Sequence, residues 1–189
     1  VSVFLWFLVD YLYVMGRTYT APLGFDIRHT YSIVISSLSE RSPDYIPKEK
    51  RERPDGVHLL TALDRIRTYP GVESACLTDG GMPYYMGSRN LVWRIDTLQV
   101  PCRYAFVTPE FFDVFRIYDK DGKTASLKRA IEDNNSIVIS ADVETMNPGL
   151  SLLGQKAYRG NVTDEIEETI RGISVPIRRH EYTKAEPNV

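Results

Sequence analysis

From Val3 to Met15 every residue except Asp10 is apolar or aromatic. Such a run loses free energy in open water, so it needs a core, a neighbouring copy or a membrane against it. A bilayer span takes about 20 mainly apolar residues, and this run falls short by several. It has neither the basic start nor the small-residue cleavage site of a signal peptide. Trp6, Tyr11, Tyr13 and Tyr19 are the residue types that gather where membrane helices meet water. One reading makes residues 1–20 the outer end of a membrane or stalk helix. On that reading the chain, which opens at Val1 rather than methionine, is cut from something longer. The other reading is a buried amphipathic helix of a soluble domain.

The remaining length suits one domain, or two small subdomains sharing a core; the whole chain has 189 residues. Hydrophobic residues make up 43% and charged residues 25%, which excludes general disorder. A net charge of −2 and a pI near 6.0 give no electrostatic footprint for nucleic acid. Two cysteines exclude a disulfide-framework miniprotein and a four-cysteine zinc site. Cys76 and Cys102 lie on different expected strands, where either a disulfide or two buried thiols fit.

Thr30 to Leu38, rich in β-branched and aromatic residues, predicts a strand. Ser39 to Arg53, charged and proline-containing, predicts an exposed loop. Asp55 is placed to cap a helix whose apolar face is Leu59, Leu63 and Ile66, with Leu60 beside them. Tyr69-Pro70-Gly71 stops that helix, and Val72 to Thr78 predicts a second strand. After a glycine-containing break at Thr78–Ser88, Asn90 to Val107 predicts one or two hairpins interrupted at Pro101. Thr108-Pro109-Glu110 has the chemistry of a helix start, threonine as cap and proline at the first helical position. Phe111, Phe112 and Phe115 are expected in the core. Ser136 to Ser140 predicts a strand, with Ser140 capping a helix from Ala141 that Pro148-Gly149 ends. Glu168 to Ile177 predicts one or two strands around Gly172, and Arg178 to Val189 a polar tail. The fold class is α+β, with strand–helix–strand order at both ends of the chain.

Familiar catalytic and binding motifs fail residue by residue. Gly122-Lys123-Thr124 ends like a phosphate-binding loop, but Ile117 stands where the first glycine must be. Read as a calcium loop, the same stretch puts Ile117 and Lys128 at carboxylate positions; a polar turn fits better. His29, His58 and His180 have no partner at ligand spacing. Glu167 and Glu168 sit in a run of charges that predicts a solvated face. Asn134-Asn135-Ser136 and Asn161-Val162-Thr163 fit the glycosylation pattern, which matters only in a eukaryotic secretory setting. No catalytic, cofactor-binding or metal-binding residue is singled out, and a non-enzymatic role is expected.

Four stretches carry a resemblance: Pro22-Leu23-Gly24-Phe25-Asp26; Tyr69-Pro70-Gly71-Val72-Glu73-Ser74; Val107 to Phe115 (VTPEFFDVF), the most specific; and Ile137-Val138-Ile139-Ser140 followed by Leu153-Gly154. In order and spacing they resemble the extracytoplasmic core domain of MacB-like ABC transporter permeases, the MacB/FtsX superfamily, over about Pro22 to Val189. The family often has a glycine-arginine turn after its "FDVF" helix, whereas here Arg116-Ile117-Tyr118-Asp119 follows; the "LFG" position reads Leu152-Leu153-Gly154. The resemblance implies a core domain over residues 21–189, with two βαβ-type units forming a porter-like subdomain. A small α/β subdomain is inserted between them at about Asp79 to Arg103, within residues 78–105. It also implies a non-catalytic, mechanotransmitting domain in the periplasm, anchored in the bacterial inner membrane, with no cofactor. Its implied partners are a cytoplasmic ABC ATPase subunit, a second permease protomer and a periplasmic protein. A domain looped out between two membrane helices should have its way in, near Ala21-Pro22, and its way out, near Val189, on one face within about 25 Å. The competing class is an extracytoplasmic ligand-sensing domain of a membrane receptor, which should contain one pocket lined by aromatic and polar groups.

Overall fold

The structure, a computed structural model, describes residues 2–36, 38–50, 55–85, 87, 89–160 and 165–189. The second strand–helix–strand region and the hairpin before it build one mixed sheet of five strands, in the order β2-β1-β4-β5-β3. β1 (Arg89–Ile95) and β2 (Leu98–Tyr104) form an antiparallel hairpin. The two-residue turn between Ile95 and Leu98 places Asp96 at φ 53, a left-handed conformation aspartate tolerates. β4 (Lys156–Arg159) pairs antiparallel with both β1 and β5 (Ile166–Ser174), and β3 (Ser136–Ser140) lies parallel to β5.

Pro101 does not interrupt β2. It pairs with Val92, and two residues on, the N–H of Arg103 points away from β1 to Pro187 O at 2.9 Å. Alternation puts the proline nitrogen on that same outer side, where the β1 ladder needs no donor. Gly172 does not divide β5 either; the strand runs through it. Register slips there, Ile137 opposite Ile170 but Val138 opposite Gly172, a bulge that sets Arg171 aside. A Cβ on Gly172 would meet Ala130 Cβ at 3.0 Å and Leu127 Cδ2 at 3.3 Å, so the glycine lets α4 (Ala125–Ala130) settle on the sheet.

β3 is buried on both faces and feeds two cores, which is why its sequence is a continuous apolar run. Ile137 and Ile139 join Trp93, Ile95, Val100, Cys102, Ala157 and Ile170 inside the curl of the sheet, closed by Val143 of α5 (Asp142–Met146) and Leu152. Val138 faces a second core of Phe111, Phe112, Phe115, Ile117 and Leu127. The three phenylalanines are 5–7% exposed, as expected of them. They sit on or just after α3 (Phe111–Val114).

Several expectations need correction. Residues 30–36 form no strand; Tyr31 is 85% and Val34 87% exposed. β-propensity is realised only where a neighbour pairs and covers the segment, and among the described residues no strand pairs with it. Val72 to Thr78 makes, among the described residues, only a single bridge, Thr78 with Val107. The helix between them forms as expected, α2 (Asp55–Arg67), but only Leu63 is buried while Leu59 and Leu60 stay exposed. The expected Asp55 cap falls on a side chain outside the description, as do residues 51–54 and 161–164, the Asn161-Val162-Thr163 pattern among them. Thr108 does not cap α3: its hydroxyl accepts the Leu77 N–H at 3.1 Å. Nor does Ser140 cap α5, whose first turn has no side-chain cap. Glu168 is buried on the inner face rather than solvated. The polar turn at Asp119–Gly122 is as expected. Asp119 Oδ1 accepts the N–H groups of Asp121 and Lys123 at 2.9 and 2.8 Å, and Ser126 donates to its other oxygen.

Candidate functional site

The C-terminal tail, which the sequence presents as merely polar, closes the molecule. Ser140 N–H donates to Asn188 O and Ser140 Oγ accepts the Asn188 N–H, both at 2.9 Å. Arg103 N–H donates to Pro187 O at 2.9 Å and its carbonyl accepts the Val189 N–H at 2.8 Å. β2 and β3 are the two edges of the sheet, so residues 187–189 bridge edge to edge and hold the sheet curled.

Arg178, 4% exposed, joins the tail to the start of the folded body. Its guanidinium donates to Ala21 O at 2.7 Å, to Thr183 O at 2.6 Å and to Glu181 O, and its N–H donates to Leu23 O at 2.9 Å. Next to it, Ile177 O accepts from Asn188 Nδ2 at 3.2 Å. Arg178 thus ties residues 21 and 23 to the tail, and Ile177 beside it holds Asn188. Gly24 lies in this seam at φ 82, and a Cβ there would run into the Pro176 carbonyl. Tyr84 adds a further tie: it donates to the Glu181 carboxylate, which pushes the phenol up to about 12. Sequence reasoning missed Arg178, because a buried arginine in a polar tail has no periodic signature.

Away from this seam α1 (Ser2–Thr20) stands clear of the body. All its described side chains except Thr18 are exposed, and Tyr19 stacks near Tyr182 at 6.1 Å. No helix among the described residues is long and apolar enough to cross a membrane.

A cavity of about 290 Å³ runs between the tail, the sheet and the phenylalanine core. At its wall Arg159 pairs with the buried Glu168 at 3.0 Å and lies over the rings of Trp93 and Phe106, 6.0 and 5.6 Å from their centres. Three lining residues carry buried polar atoms that find no partner among the described residues: Trp93 Nε1, Arg103 Nε and Ser136 Oγ. Burial lowers the Arg103 guanidinium from its ordinary value, with Arg179 acting the same way and Glu186 against.

The sequence's other chemical candidates stay apart. His29 and His58 are exposed, and His180 Nδ1 accepts the Tyr182 N–H at 3.2 Å. Cys76 and Cys102 are free thiols, pushed up to about 11 and about 12 chiefly by burial. That keeps them protonated and poor nucleophiles. Among the described residues no three His, Cys, Asp or Glu side chains gather as a metal would require.

Fold and site together define a class: an α+β domain on a curled five-stranded mixed sheet, laced shut by its own tail. No protein-family model matches the chain, and no characterised protein matches it in sequence. Two solved structures resemble it. One is a domain of a protein assigned as a permease from Porphyromonas gingivalis, 19% identical, with a TM-score of 0.49 over 68% of this chain and 49% of that one. The other is the periplasmic region of MacB from Actinobacillus actinomycetemcomitans, 10% identical, with a TM-score of 0.43 over 61% of this chain and 50% of that one. The chain spans about half the length of each.

Proposed function

We propose that residues 21–189 are the extracytoplasmic core domain of an ABC transporter permease subunit, coupling ATP-driven movement of membrane helices to export or mechanotransmission. The observation that carries the reading is the seam at Arg178. A chain that arrives through α1 and continues beyond Val189 would leave the body beside its point of arrival, as a domain looped out of a membrane must. The family-like stretches also fall at structural joints: Gly24 in the seam, Gly71 at φ 89 after α2, the buried phenylalanines, and Gly154 at φ 84 before β4. The finer plan belongs to the same proposal: a unit carried by β3, α5 and β5, another around α2, and residues 78–105 as the inserted piece that supplies β1 and β2. Residues 1–20 are then the outer end of a membrane or stalk helix, placing the body in the periplasm. The partners are a second permease protomer, a cytoplasmic ABC ATPase and a periplasmic protein; the domain itself is non-catalytic. The ligand-sensing alternative draws on the cavity, and differs in needing no ATPase.

The test uses the intact membrane protein. Asp121→Cys, on an exposed turn, should react with a membrane-impermeant maleimide in whole cells whose outer membrane is permeabilised. The purified protein should bring an ABC ATPase with it. Labelling only after lysis, or co-purification with a kinase instead, would overturn the proposal.

A further inference from the structure

Thr30 to Ser36 has the chemistry of a strand and leaves it unused. Its start is fixed to the body: the Thr30 N–H donates to Ile27 O at 3.0 Å and its hydroxyl to Val114 O at 3.3 Å. Beyond that, residues 31–36 make no hydrogen bond among the described residues, so both backbone edges are open. Tyr31, Ile33, Val34 and Ile35 are 85%, 64%, 87% and 50% exposed. The stretch contains no charge, no proline and no glycine. An open, uncharged segment of this kind is a template for pairing with a strand of another chain. The chain also exposes 13456 Å², where a compact monomer of 21.6 kDa exposes about 9,200 Å². Surface is therefore left to be covered, and residues 31–36 belong to it together with α1.

The segment is complementary to itself. In a strand the side chains alternate, so Tyr31, Ile33 and Ile35 share one face and Thr30, Ser32, Val34 and Ser36 the other. Laid antiparallel on its own copy about Ile33, it sets Ile33 against Ile33, Tyr31 against Ile35, Ser32 against Val34 and Thr30 against Ser36. One face is then wholly apolar, built from aromatic and β-branched cross-strand pairs, and the other carries a Thr–Ser pair at each end. A slip of one residue would set Tyr31 against Ser36 and Ser32 against Ile35, mixing the faces. A twofold axis through Ile33 satisfies both chains at once, as a contact between identical copies requires. With no charge on the segment, the copies do not repel.

We propose that residues 30–36 pair antiparallel with the same residues of a second copy of this chain, in the register centred on Ile33. The contact is small beside the roughly 800 Å² that each partner gives to a stable complex, and a two-stranded ribbon is marginal by itself. It is therefore a weak contact, one that oxidation can trap. The pairing stands without the transporter reading; where that reading holds, it is a place where the second protomer meets the first.

Ile33 is exposed, so Ile33→Cys leaves the body intact. The full chain, at about 100 µM in a nonionic detergent that shields α1, is oxidised with copper phenanthroline. Covalent dimer is followed on non-reducing gels, with the unmodified chain giving the background from Cys76 and Cys102. Directly opposed residues of an antiparallel pair have Cα atoms about 4.5–5.5 Å apart, within the reach of a disulfide. Tyr31 and Ile35 each lie four residues from their own copies, about 13 Å away and beyond that reach. Ile33→Cys should therefore cross-link at least about tenfold faster than Tyr31→Cys or Ile35→Cys alone. A mixture of Tyr31→Cys and Ile35→Cys chains should form the mixed dimer. Cross-linking of Ile33→Cys no faster than that of either other variant, or than the background, would overturn the proposal, and neither result depends on an ATPase.

Discussion

Asp142, 7% exposed, has one carboxylate oxygen, Oδ2, with no partner among the described residues. Burial pushes its carboxyl above the ordinary 3.8, while Ser140 and its own backbone N–H pull the other way. A raised acid disfavours the charged form in the fold. Its burden is therefore absent below the unfolded value and complete once pH exceeds the folded one. Asp142→Asn should raise stability by about 1 kcal/mol at pH 7, with the gain shrinking as pH falls toward 3.8; thermal melts across that range check it. Gly24 is constrained differently. Its left-handed backbone and the Pro176 carbonyl both exclude a Cβ, so Gly24→Ala should cost about 2 kcal/mol or more in urea unfolding. Arg116 is in the left-handed region too, at φ 50. It follows Phe115, where Ile117 N–H reaches back to Phe112 O at 2.9 Å and closes the turn after α3. The resembling family often has glycine in this turn; here arginine holds the conformation and donates to Arg28 O at 3.1 Å.

Elements with a local cause were legible in the sequence. α2 has its apolar spacing and its Pro-Gly stop, β3 its short apolar run, and the phenylalanines of Val107–Phe115 their burial. Elements that depend on distant partners were not. Residues 30–36 have strand composition but no strand beside them, and Pro101 sits inside a strand because its nitrogen faces the outer edge. Ser140 and Thr108, both chosen as helix caps, spend their hydroxyls on Asn188 and Leu77 instead; the sequence cannot say which N–H a hydroxyl meets. The same dependence hid Arg178, whose acceptors are at residues 21, 181 and 183. Replacing Arg178 with methionine leaves those half-buried carbonyls without their donor and should cost about 3 kcal/mol. The loss should appear as faster hydrogen exchange in residues 178–189. Phe111→Ala or Phe112→Ala should cost about 3–5 kcal/mol through the cavity each leaves. Losses under about 0.5 kcal/mol in denaturant titrations, the range of surface substitutions, would show that the rings do not carry that core.

On the scale of the whole molecule, one sheet curls on itself, laced by residues 187–189, with α1 standing off the seam that Arg178 makes. A body fixed to its surroundings at one seam can be carried as a unit when that seam moves, which a mechanical role requires. The proposed function requires that it does move, driven by ATP on the other side of the membrane. The direct measurement places a nitroxide at Asp121→Cys in the intact membrane protein reconstituted with the ATPase proposed for it, while burial keeps the native thiols protonated. Inter-protomer distances are then recorded by electron–electron double resonance, without nucleotide and with ATP trapped. A defined inter-protomer distance that shifts by several ångström between the two states is expected; a distribution unchanged by ATP, or no inter-protomer distance at all, would contradict the proposed coupling.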